Sequence, residues 1–321
     1  MGGRFLAALV PYRRWVPGPT PFPSALRDAI LDWYAEHGRR LPFRATADPY
    51  AILVSEAMAQ QTQAARAGES WAAFMARFPT VRALAAATPA DVLRSWQGLG
   101  YNRRALNLWR AAGRIVEAFD GEVPRDLAAL ESLPGVGPYT ARAVAAIAFG
   151  LPVGAVDTNV RRVLGRIVAG DAGGLSPATL QGVADAAVPP DRPGAWTHAL
   201  MDIGAMVCRP SRPDCEACPA RAWCRYANET TAARAGCPVQ ARASVAREHP
   251  VPFRLTSRWL RGRILDRLRD AADGEWVALD GAIGDHDSSA VSVAAHALAR
   301  EGLLELDSAA LAGVRARLPM A

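Results

Sequence analysis

Four cysteines within seventeen residues form the densest group of chemically reactive side chains in the sequence. They are Cys208, Cys215, Cys218 and Cys224, spaced C-x6-C-x2-C-x5-C. Four thiolates brought together in this way can bind either an iron–sulfur cluster or zinc. Zinc modules often use two short C-x2-C pairs, and this run contains only one. The spacing therefore predicts a site for one of these two groups, and zinc is the less typical occupant.

Two carboxylates lie in patterns suited to acid–base chemistry. Asp157 directly precedes apolar residues at helical spacing, so we expect it at a helix N-terminus, where an anion is stabilised. Glu56, Gln60 and Gln63 recur at i, i+4 and i+7 beside the apolar stretch 51–54. A partly buried Glu56 would have a raised pKa and could donate a proton. The alternatives are simple helix capping by Asp157 and a solvated polar face around Glu56.

The segment 133–141 reads Leu-Pro-Gly-Val-Gly-Pro-Tyr-Thr-Ala and opens a predicted helix. Gly135 and Gly137 let the backbone turn tightly and approach a ligand closely. Amide groups at the following helix N-terminus favour an anion. The segment resembles the hairpin of a helix-hairpin-helix unit, which implies that it binds a DNA phosphate without reading sequence. An ordinary glycine-rich turn between helices is the alternative.

Composition limits the class of protein and of partner. The chain has 321 residues, a formal net charge of +6 and a pI of about 9.4, which favours a polyanionic partner. Four of the five cysteines lie in one run, which is not a disulfide framework and indicates a reducing, cytoplasmic location. We expect the fifth, Cys237, to be a bystander. No stretch reaches the roughly 18–20 apolar residues of a membrane span, so we expect no membrane contact.

Helical spacing of Ala, Leu, Arg and Trp runs from about Ser24 to Asn228, and alternating strand patterns are scarce. We therefore predict an all-α fold followed by a small α+β region that resembles a winged helix. There, 256–272 is predicted as a basic amphipathic helix, 288–302 as a second helix and 303–306 as a strand; a small helical cap is the alternative. The predicted segments are a loose N-terminal tail (1–23), a discontinuous module that carries the cysteines (24–48 and 150–231), a six-helix module with the hairpin (49–149), a linker (232–252) and the C-terminal region (253–321).

From about residue 29 to residue 227 the chain resembles the helix-hairpin-helix DNA glycosylases, and among them the MutY-type adenine glycosylases. This stretch is about three fifths of the chain, and the motifs follow the family's order. They are 41–44, 49–50, 55–63, 98–101, the hairpin, 156–160 and the four cysteines. The resemblance implies the helix-hairpin-helix glycosylase fold, a six-helix barrel module joined to a [4Fe–4S] module, and it favours the cluster over zinc.

The resemblance also implies a role for each matching residue. Glu56 would protonate the purine at N7, and Asp157 would stabilise the cation that forms at C1′, in line with glycoside hydrolysis. Asn159 and Tyr139 would line the reacting sugar. The remaining implied contacts are Gln60 and Tyr101 as wedges while the base is flipped out, Phe43, Arg44, Ala59 and His198 in or near the base pocket, Gly135 and Gly137 on a phosphate, and the four cysteines on the cluster.

The cysteine loop is expected to hold DNA rather than to react. Cysteine occupies all four corners of the implied cluster, so no position is left for substrate. Four arginines surround the ligands, namely Arg209, Arg212, Arg221 and Arg225. A rigid loop that presents guanidinium groups suits a phosphate backbone.

Several positions differ between branches of the family. Tyr139 stands where the endonuclease III branch has a lysine that forms a Schiff base and nicks the strand; a phenol cannot do so, and we predict a monofunctional enzyme. Phe43 stands where Trp is usual, Ala59 where Leu is usual, and His198 where Gln or Glu is usual; a packed helical histidine is the alternative for His198. Longer members carry a Nudix-like domain that recognises 8-oxoguanine. The roughly seventy residues after the linker do not resemble that domain.

The predicted activity is excision of adenine mispaired with 8-oxoguanine or guanine, by hydrolysis of the N-glycosidic bond. The expected partner is double-stranded DNA that contains a mispair, bound by a monomer. One alternative is a thymine or uracil mismatch glycosylase on the same scaffold, because such enzymes have Tyr and Asp at the positions matching Tyr139 and Asp157. A second is a non-catalytic DNA-binding or redox-sensing cluster protein, which requires Glu56 and Asp157 to be coincidental.

Overall fold

The computed structural model describes residues 22–170, 174–234, 251–307 and 313–320. The chain divides into two compact units. The first unit contains the described residues of 1–38 and 156–238, and the second contains those of 39–155 and 239–321. Nearly all of the predicted N-terminal tail, most of the predicted linker, and Cys237 lie outside the described residues. The other segment boundaries drawn from the sequence remain predictions.

The described part of the chain is mainly helical, as predicted. In chain order the helices are α1 (Ser24–His37), α2 (Pro49–Ala59), α3 (Ala64–Arg77), α4 (Val81–Ala85), α5 (Pro89–Ser95), α6 (Arg103–Ala118), α7 (Leu127–Glu131), α8 (Pro138–Ala148), α9 (Thr158–Ala169), α10 (Pro177–Ala187), α11 (Pro193–Asp202), α12 (Arg225–Arg234), α13 (Ser257–Asp270) and α14 (Ser288–Arg300). Short 3₁₀ turns occupy Pro42–Arg44, Arg221–Trp223 and Phe253–Leu255, and a π-helical turn occupies Ile203–Val207. None of the described helices is long and apolar enough to span a membrane.

Local sequence explains where several of these helices begin. Asp48, Thr88 and Ser176 each precede a proline, and each side chain accepts a hydrogen bond from a backbone amide of the first turn. These side chains satisfy amides that have no partner within the helix, and proline at the first position lacks the amide that would need one. The cap-then-proline pattern therefore sets the starts of α2, α5 and α10.

Each unit has its own hydrophobic core. In the first unit, α1, α9, α10 and α11 pack around Leu26, Ile30, Leu164 and Trp196. In the second unit, α2, α3, α6 and α8 pack around a core that includes the fully buried Trp96. The functional side chains described below lie at the helix ends that these cores hold in place.

The C-terminal region belongs to the second unit. Helix α13 covers most of the predicted helix 256–272, and its predicted apolar face is buried. Strands β1 (Val277–Ala278), β2 (Glu305–Leu306) and β3 (Arg315–Arg317) form an antiparallel sheet in the order β1-β3-β2, with Ala316 opposite Val277 and Leu306. Only Glu305–Leu306 of the predicted strand 303–306 form a strand, and the chain turns before it at Gly302, which has φ +73°.

This region packs directly on α5 and the start of α6. Arg269 donates to the Leu93 carbonyl at 2.9 Å and to Asn102 Oδ1 at 2.6 Å. The Ala90 amide donates to the Pro319 carbonyl at 3.0 Å. A small C-terminal α+β region, as predicted, is thus fixed to the helical part of the second unit.

Candidate functional site

Asp157 is the N-cap residue of α9. Its Oδ1 accepts a hydrogen bond from the Val160 amide at 2.7 Å, and its Oδ2 accepts one from Asn159 Nδ2 at 3.0 Å. Two amide donors therefore converge on one carboxylate, at a helix N-terminus that already favours negative charge. The structure brings together two of the residues predicted to be catalytic, Asp157 and Asn159.

Asn159 is held in turn by Arg162, one turn further along α9. Arg162 donates to Asn159 Oδ1 at 2.8 Å and to the carbonyls of Gly204 and Cys208, both at 2.6 Å. Gly204 lies so close that a Cβ there would be 2.5 Å from the Asn159 Cβ. Sequence reasoning missed Arg162 and Gly204; the i, i+3 spacing of Asn159 and Arg162 was the available signal.

The cysteine loop continues from this network. Arg166, a buried residue of α9, donates to Cys208 Sγ at 3.3 Å and to the carbonyls of Arg209 at 2.9 Å and Pro210 at 3.1 Å. Cys224 donates in the opposite direction, to the Arg166 carbonyl at 3.6 Å. Arg162 and Arg166 therefore fasten the start of the loop to the helix that Asp157 caps.

The four cysteines are free thiols near one another. Cys224 is buried, and the other three are partly buried. Burial, and to a smaller extent the charges of the other three thiols, raise the pKa of Cys218 to about 12, against a hydrogen bond from the Ala220 amide. Burial also raises the pKa of Cys224. Across the described ranges there is no group of three or more His, Cys, Asp or Glu side chains that could hold a metal ion.

The arginines around the cysteines differ in their surroundings. Arg221 pairs with Glu216, and Arg225 pairs with Glu229. Arg209 and Arg212 are exposed, and Arg212 has a left-handed backbone with φ +53°. Acidic neighbours offset the first two charges, so Arg209 and Arg212 are the better placed to bind phosphate.

Glu56 lies near the C-terminal end of α2, in the second unit. Glu56 is only 8% exposed. Its neighbours on the helix are buried as well, namely Ile52, Leu53 and Met58. The prediction of a partly buried acid is therefore matched. The predicted stripe of Glu56, Gln60 and Gln63 on one face is wrong, because α2 ends at Ala59 and Gln63 precedes α3.

The two glutamines after α2 have different environments. Gln60 Nε2 donates to Thr140 Oγ1 at 3.3 Å, which ties this turn to the hairpin helix α8. Gln61 is exposed and has a left-handed backbone with φ +55°. Gln61, to which the sequence analysis gave no role, is thus exposed to solvent, whereas Gln60 is partly buried. Its exposure depends on where α2 ends, and no sequence pattern marked that end.

Arg104 joins the end of α2 to the glycine turn before α6. It donates to the carbonyls of Ala57 at 2.8 Å and Met58 at 3.0 Å, and also to that of Gln60. It donates as well to the carbonyls of Leu99 at 3.1 Å and Gly100 at 3.2 Å. Burial lowers the pKa of Arg104 to about 10, with the nearby Tyr101 acting in the opposite direction. Sequence reasoning missed Arg104 as well.

The hairpin has the geometry that its glycines predict. Gly135 has φ +80°, and a Cβ there would lie 2.7 Å from the Asn107 Cβ. Gly137 is the N-cap of α8, with no atom within 4 Å of an added Cβ. Close packing thus requires the first glycine, and the second leaves open space at the helix N-terminus. Tyr139 is half-buried on the first turn of α8.

Tyr101 stands out from the second glycine turn. It is 42% exposed and has a left-handed backbone with φ +44°, directly after Gly98 and Gly100 with φ of +81° and +67°. The guanidinium carbon of Arg104 lies 5.6 Å from the ring centroid, and that of Arg258 lies 4.3 Å from it. Exposed aromatic rings of this kind offer a face on which a nucleobase can stack.

The residues predicted near the base pocket have mainly structural contacts. The Phe43 ring meets the Trp71 ring edge-on at 6.3 Å, and Arg44 donates to the Arg39 carbonyl at 3.2 Å. Ala59 is the last residue of α2. His198 lies on α11 in the first unit, 6.2 Å from the Tyr34 ring, which fits the packed alternative.

Comparison with known proteins places the chain among DNA repair enzymes. A family model described as HhH-GPD superfamily base excision DNA repair protein matches residues 54–174. The adenine DNA glycosylase of Mycolicibacterium smegmatis is 43% identical over 244 residues, 75% of this chain and 80% of that protein. The adenine DNA glycosylase of Mycobacterium tuberculosis H37Rv is 43% identical over 75% of this chain and 78% of that protein's length. The Homo sapiens enzyme is 42% identical over 63% of this chain but only 39% of its own.

Solved structures agree with the fold. A thermostable thymine-DNA glycosylase has a TM-score of 0.60 and 30% identity, covering 63% of this chain and 94% of its own. An endonuclease III trapped on DNA has a TM-score of 0.56 and 24% identity, covering 65% of this chain and 96% of its own, and supports the fold alone. The predicted helix-hairpin-helix glycosylase fold is confirmed, and with relatives that match over most of their length, the chain belongs to the adenine DNA glycosylase family.

Proposed function

We propose that this chain excises adenine mispaired with 8-oxoguanine or guanine, by hydrolysis of the N-glycosidic bond and without nicking the strand. Membership of a DNA N-glycosylase family named for adenine supports the reaction class and the base. The observation that carries the chemical proposal is the convergence of two amide donors on the Asp157 carboxylate. The enzyme would act in the cytoplasm, as a monomer on double-stranded DNA.

Asp157 is assigned to stabilise the positive charge that develops at C1′. Loss of the base leaves an oxocarbenium-like sugar, and a fixed carboxylate lowers the energy of that state. The Val160 and Asn159 amides fix the position of the Asp157 carboxylate at the α9 N-terminus. Asn159 and Tyr139 are assigned to the surroundings of the sugar.

Glu56 is assigned to protonate the leaving adenine at N7. Glu56 is buried near the C-terminal end of α2, and a positioned carboxylic acid is a common proton donor to a leaving group. Protonation makes the purine a neutral leaving group, which lowers the cost of breaking the bond.

Tyr139 supports the absence of strand nicking. A nick through β-elimination requires an amine that forms a Schiff base with the sugar aldehyde. The first turn of α8 offers a phenol at that position, and a phenol cannot form a Schiff base. The proposed product is an intact strand with an abasic site.

DNA binding is assigned to four exposed features. The α8 N-terminus after Gly137 suits a phosphate, and Tyr101 suits a wedge between bases. Gln61, exposed beside the end of α2, is assigned to the wedge in place of Gln60, whose amide is bonded to Thr140. Arg209 and Arg212 of the cysteine loop are assigned to the backbone.

The four cysteines are assigned to a [4Fe–4S] cluster. Four neighbouring thiols are the donor set that such a cluster takes. When bound, the cluster supplies rigidity to its loop. Arg162 and Arg166 would pass that rigidity to α9 and hence to Asp157. A yellow-brown protein with about four irons per chain supports this assignment, whereas a colourless protein that contains zinc contradicts it.

The test of the proposed reaction is an excision assay on four duplexes. Each carries one pair, A:8-oxoguanine, A:G, T:G or U:G, and hot alkali then cleaves any abasic site. We expect cleavage at the two adenine pairs. Cleavage only at T or U would support the alternative mismatch glycosylase, and no cleavage at all would support a non-catalytic DNA-binding protein.

A second assay tests the absence of strand nicking. Sodium borohydride traps a Schiff base as a covalent protein–DNA adduct. We expect no strong adduct and no strand break before the alkali step. A strong adduct would contradict the monofunctional assignment while leaving adenine excision intact.

A further inference from the structure

The wedge residue Tyr101 meets the C-terminal region at Arg258. Arg258 lies on the first turn of α13, and its guanidinium carbon is 4.3 Å from the centroid of the Tyr101 ring. Its Nη2 would be 3.8 Å from a Cβ placed on Gly100. A side chain from the C-terminal region thus covers part of the ring that the proposed function assigns to the base stack.

The packing of α13 fixes this contact. Arg269, on the same helix, is buried and donates to Asn102 Oδ1 and to the Leu93 carbonyl. Asn102 directly follows Tyr101, so the helix is fastened to the very turn that carries the ring. Arg94 adds a bond to the Ala271 carbonyl at 3.1 Å, just past the end of α13. The position of Arg258 over Tyr101 is therefore built into the second unit.

Among the described residues Arg258 has no acidic partner, whereas two nearby arginines of α13 do. Arg261 pairs with Glu301, and Arg263 pairs with Asp266. Arg258 is exposed, and no carboxylate in the described ranges forms an ion pair with it. An exposed cation over an exposed ring is the combination that binds nucleic acids, since the ring takes a base and the cation takes a phosphate.

We propose that Arg258 binds a backbone phosphate of the duplex where Tyr101 enters the base stack. A ring between bases needs its faces for stacking, so the guanidinium leaves the ring for the nearest anion, which in DNA is a phosphate. The C-terminal region thereby becomes part of the DNA-binding surface. This proposal rests on the wedge role of Tyr101 in the proposed function.

The experiment compares Arg258→Ala with Arg263→Ala in the full chain. Both remove one positive charge from an exposed part of α13, but Arg263 is already paired with Asp266. Affinity is measured over a range of salt concentrations for a duplex with a tetrahydrofuran abasic residue opposite guanine. We expect Arg258→Ala to weaken binding several-fold and to reduce the slope of log K against log salt by about 0.9, the value of one phosphate contact. Arg263→Ala should match the wild type.

Equal binding by the two variants would overturn the proposal. So would a loss that changes when guanine is replaced by 8-oxoguanine or thymine, because a phosphate contact ignores the base. Arg258→Lys should retain most of the salt slope, since lysine also binds phosphate as a point charge. Binding to the abasic duplex needs no catalysis. Failure to excise adenine would therefore refute the proposed function, and the binding comparison would still test the phosphate contact of Arg258.

Coupling to the wedge is tested with Tyr101→Ala and the double variant. If the two side chains act at one place, the double variant binds more tightly than the sum of the single losses predicts. Strict additivity would overturn the link to Tyr101.

Discussion

The surroundings of Asp157 in the first unit and of Glu56 in the second unit differ in what they offer a carboxyl group. Asp157 caps a helix and accepts bonds from the Val160 amide and the Asn159 side chain. Glu56 lies inside a helix, 8% exposed, beside the buried Leu53 and Met58. Two residues with similar chemistry therefore have different surroundings, and a two-carboxylate enzyme requires such a difference for its two tasks.

The two carboxylates are also positioned by a similar device. In each unit an arginine donates to backbone carbonyls from separate parts of the chain. Arg162 links Asn159 to Gly204 and Cys208. Arg104 links the end of α2 to the turn before α6. The planar guanidinium can serve several acceptors at once, which a lysine cannot do with the same geometry.

Loss of either carboxylate should have the largest effect. Glu56→Gln and Asp157→Asn should each lower single-turnover adenine excision at least roughly a hundredfold, since each removes a group that acts on the transition state. Both changes keep the side-chain shape, and Asn caps helices as well as Asp does. We therefore expect unchanged DNA affinity and thermal stability. Excision at the wild-type rate by either variant would refute the assignment of that residue.

Removal of Arg104 or Arg162 should have the next largest effect, a loss of stability. The loss should be larger for Arg104, in the second unit, than for Arg162, in the first. Arg104→Ala leaves more carbonyls without a donor than Arg162→Ala does. Because each hydrogen bond contributes roughly 0.5 kcal/mol or more net, we expect losses in the free energy of unfolding of about 3 kcal/mol for Arg104→Ala and about 2 kcal/mol for Arg162→Ala. Urea unfolding measures both.

The control for these arginines is Arg82→Ala. Arg82 is exposed and pairs with Asp120 at the surface, so the change should be within about 0.5 kcal/mol of the wild type. A similarly small effect for Arg104→Ala would show that its hydrogen bonds do not hold the end of α2.

Gly204→Ala tests how closely the Asp157 network is packed. The added Cβ would lie 2.5 Å from the Asn159 Cβ and 3.1 Å from its Cα, so backbone must move. We expect a loss of roughly 1–3 kcal/mol in the free energy of unfolding, together with slower excision as Asn159 shifts. Gly182→Ala on α10 is the matched control, because nothing lies within 4 Å of its added Cβ and alanine favours the helix. Equal behaviour of the two variants would contradict the close packing.

The capping role of Asp157 should give the smallest effect. Asp157→Ala removes the acceptor of the Val160 amide, whereas Asp157→Asn keeps one. The alanine variant should be about 1 kcal/mol less stable than the asparagine variant, although both lack excision activity. Equal melting temperatures would show that the carboxylate serves chemistry alone.

The features that could be predicted are those that depend on neighbours in sequence. The Asp157 cap, the hairpin glycines and the buried face of α13 all follow from residues within one or two helical turns. The stripe of Glu56, Gln60 and Gln63 could not be judged this way. Helix α2 ends at Ala59, where Arg104 takes up its last carbonyls. The Gln60 carbonyl is bonded by Arg104, 44 residues away, a contact that no local pattern could predict.

The sequence by itself determined the chemical groups: four thiols at a set spacing, two carboxylates in contrasting local patterns, and a glycine hairpin that opens a helix. Helix caps and turns are local hydrogen-bond arrangements, and they can be recognised from short stretches of chain. Tertiary structure alone decided which groups hold these residues in place, namely Arg104, Arg162, Arg166, Gly204 and Arg258. A long arginine side chain reaches many acceptors, and only the packing of distant segments settles which carbonyl, thiol or ring lies within its reach.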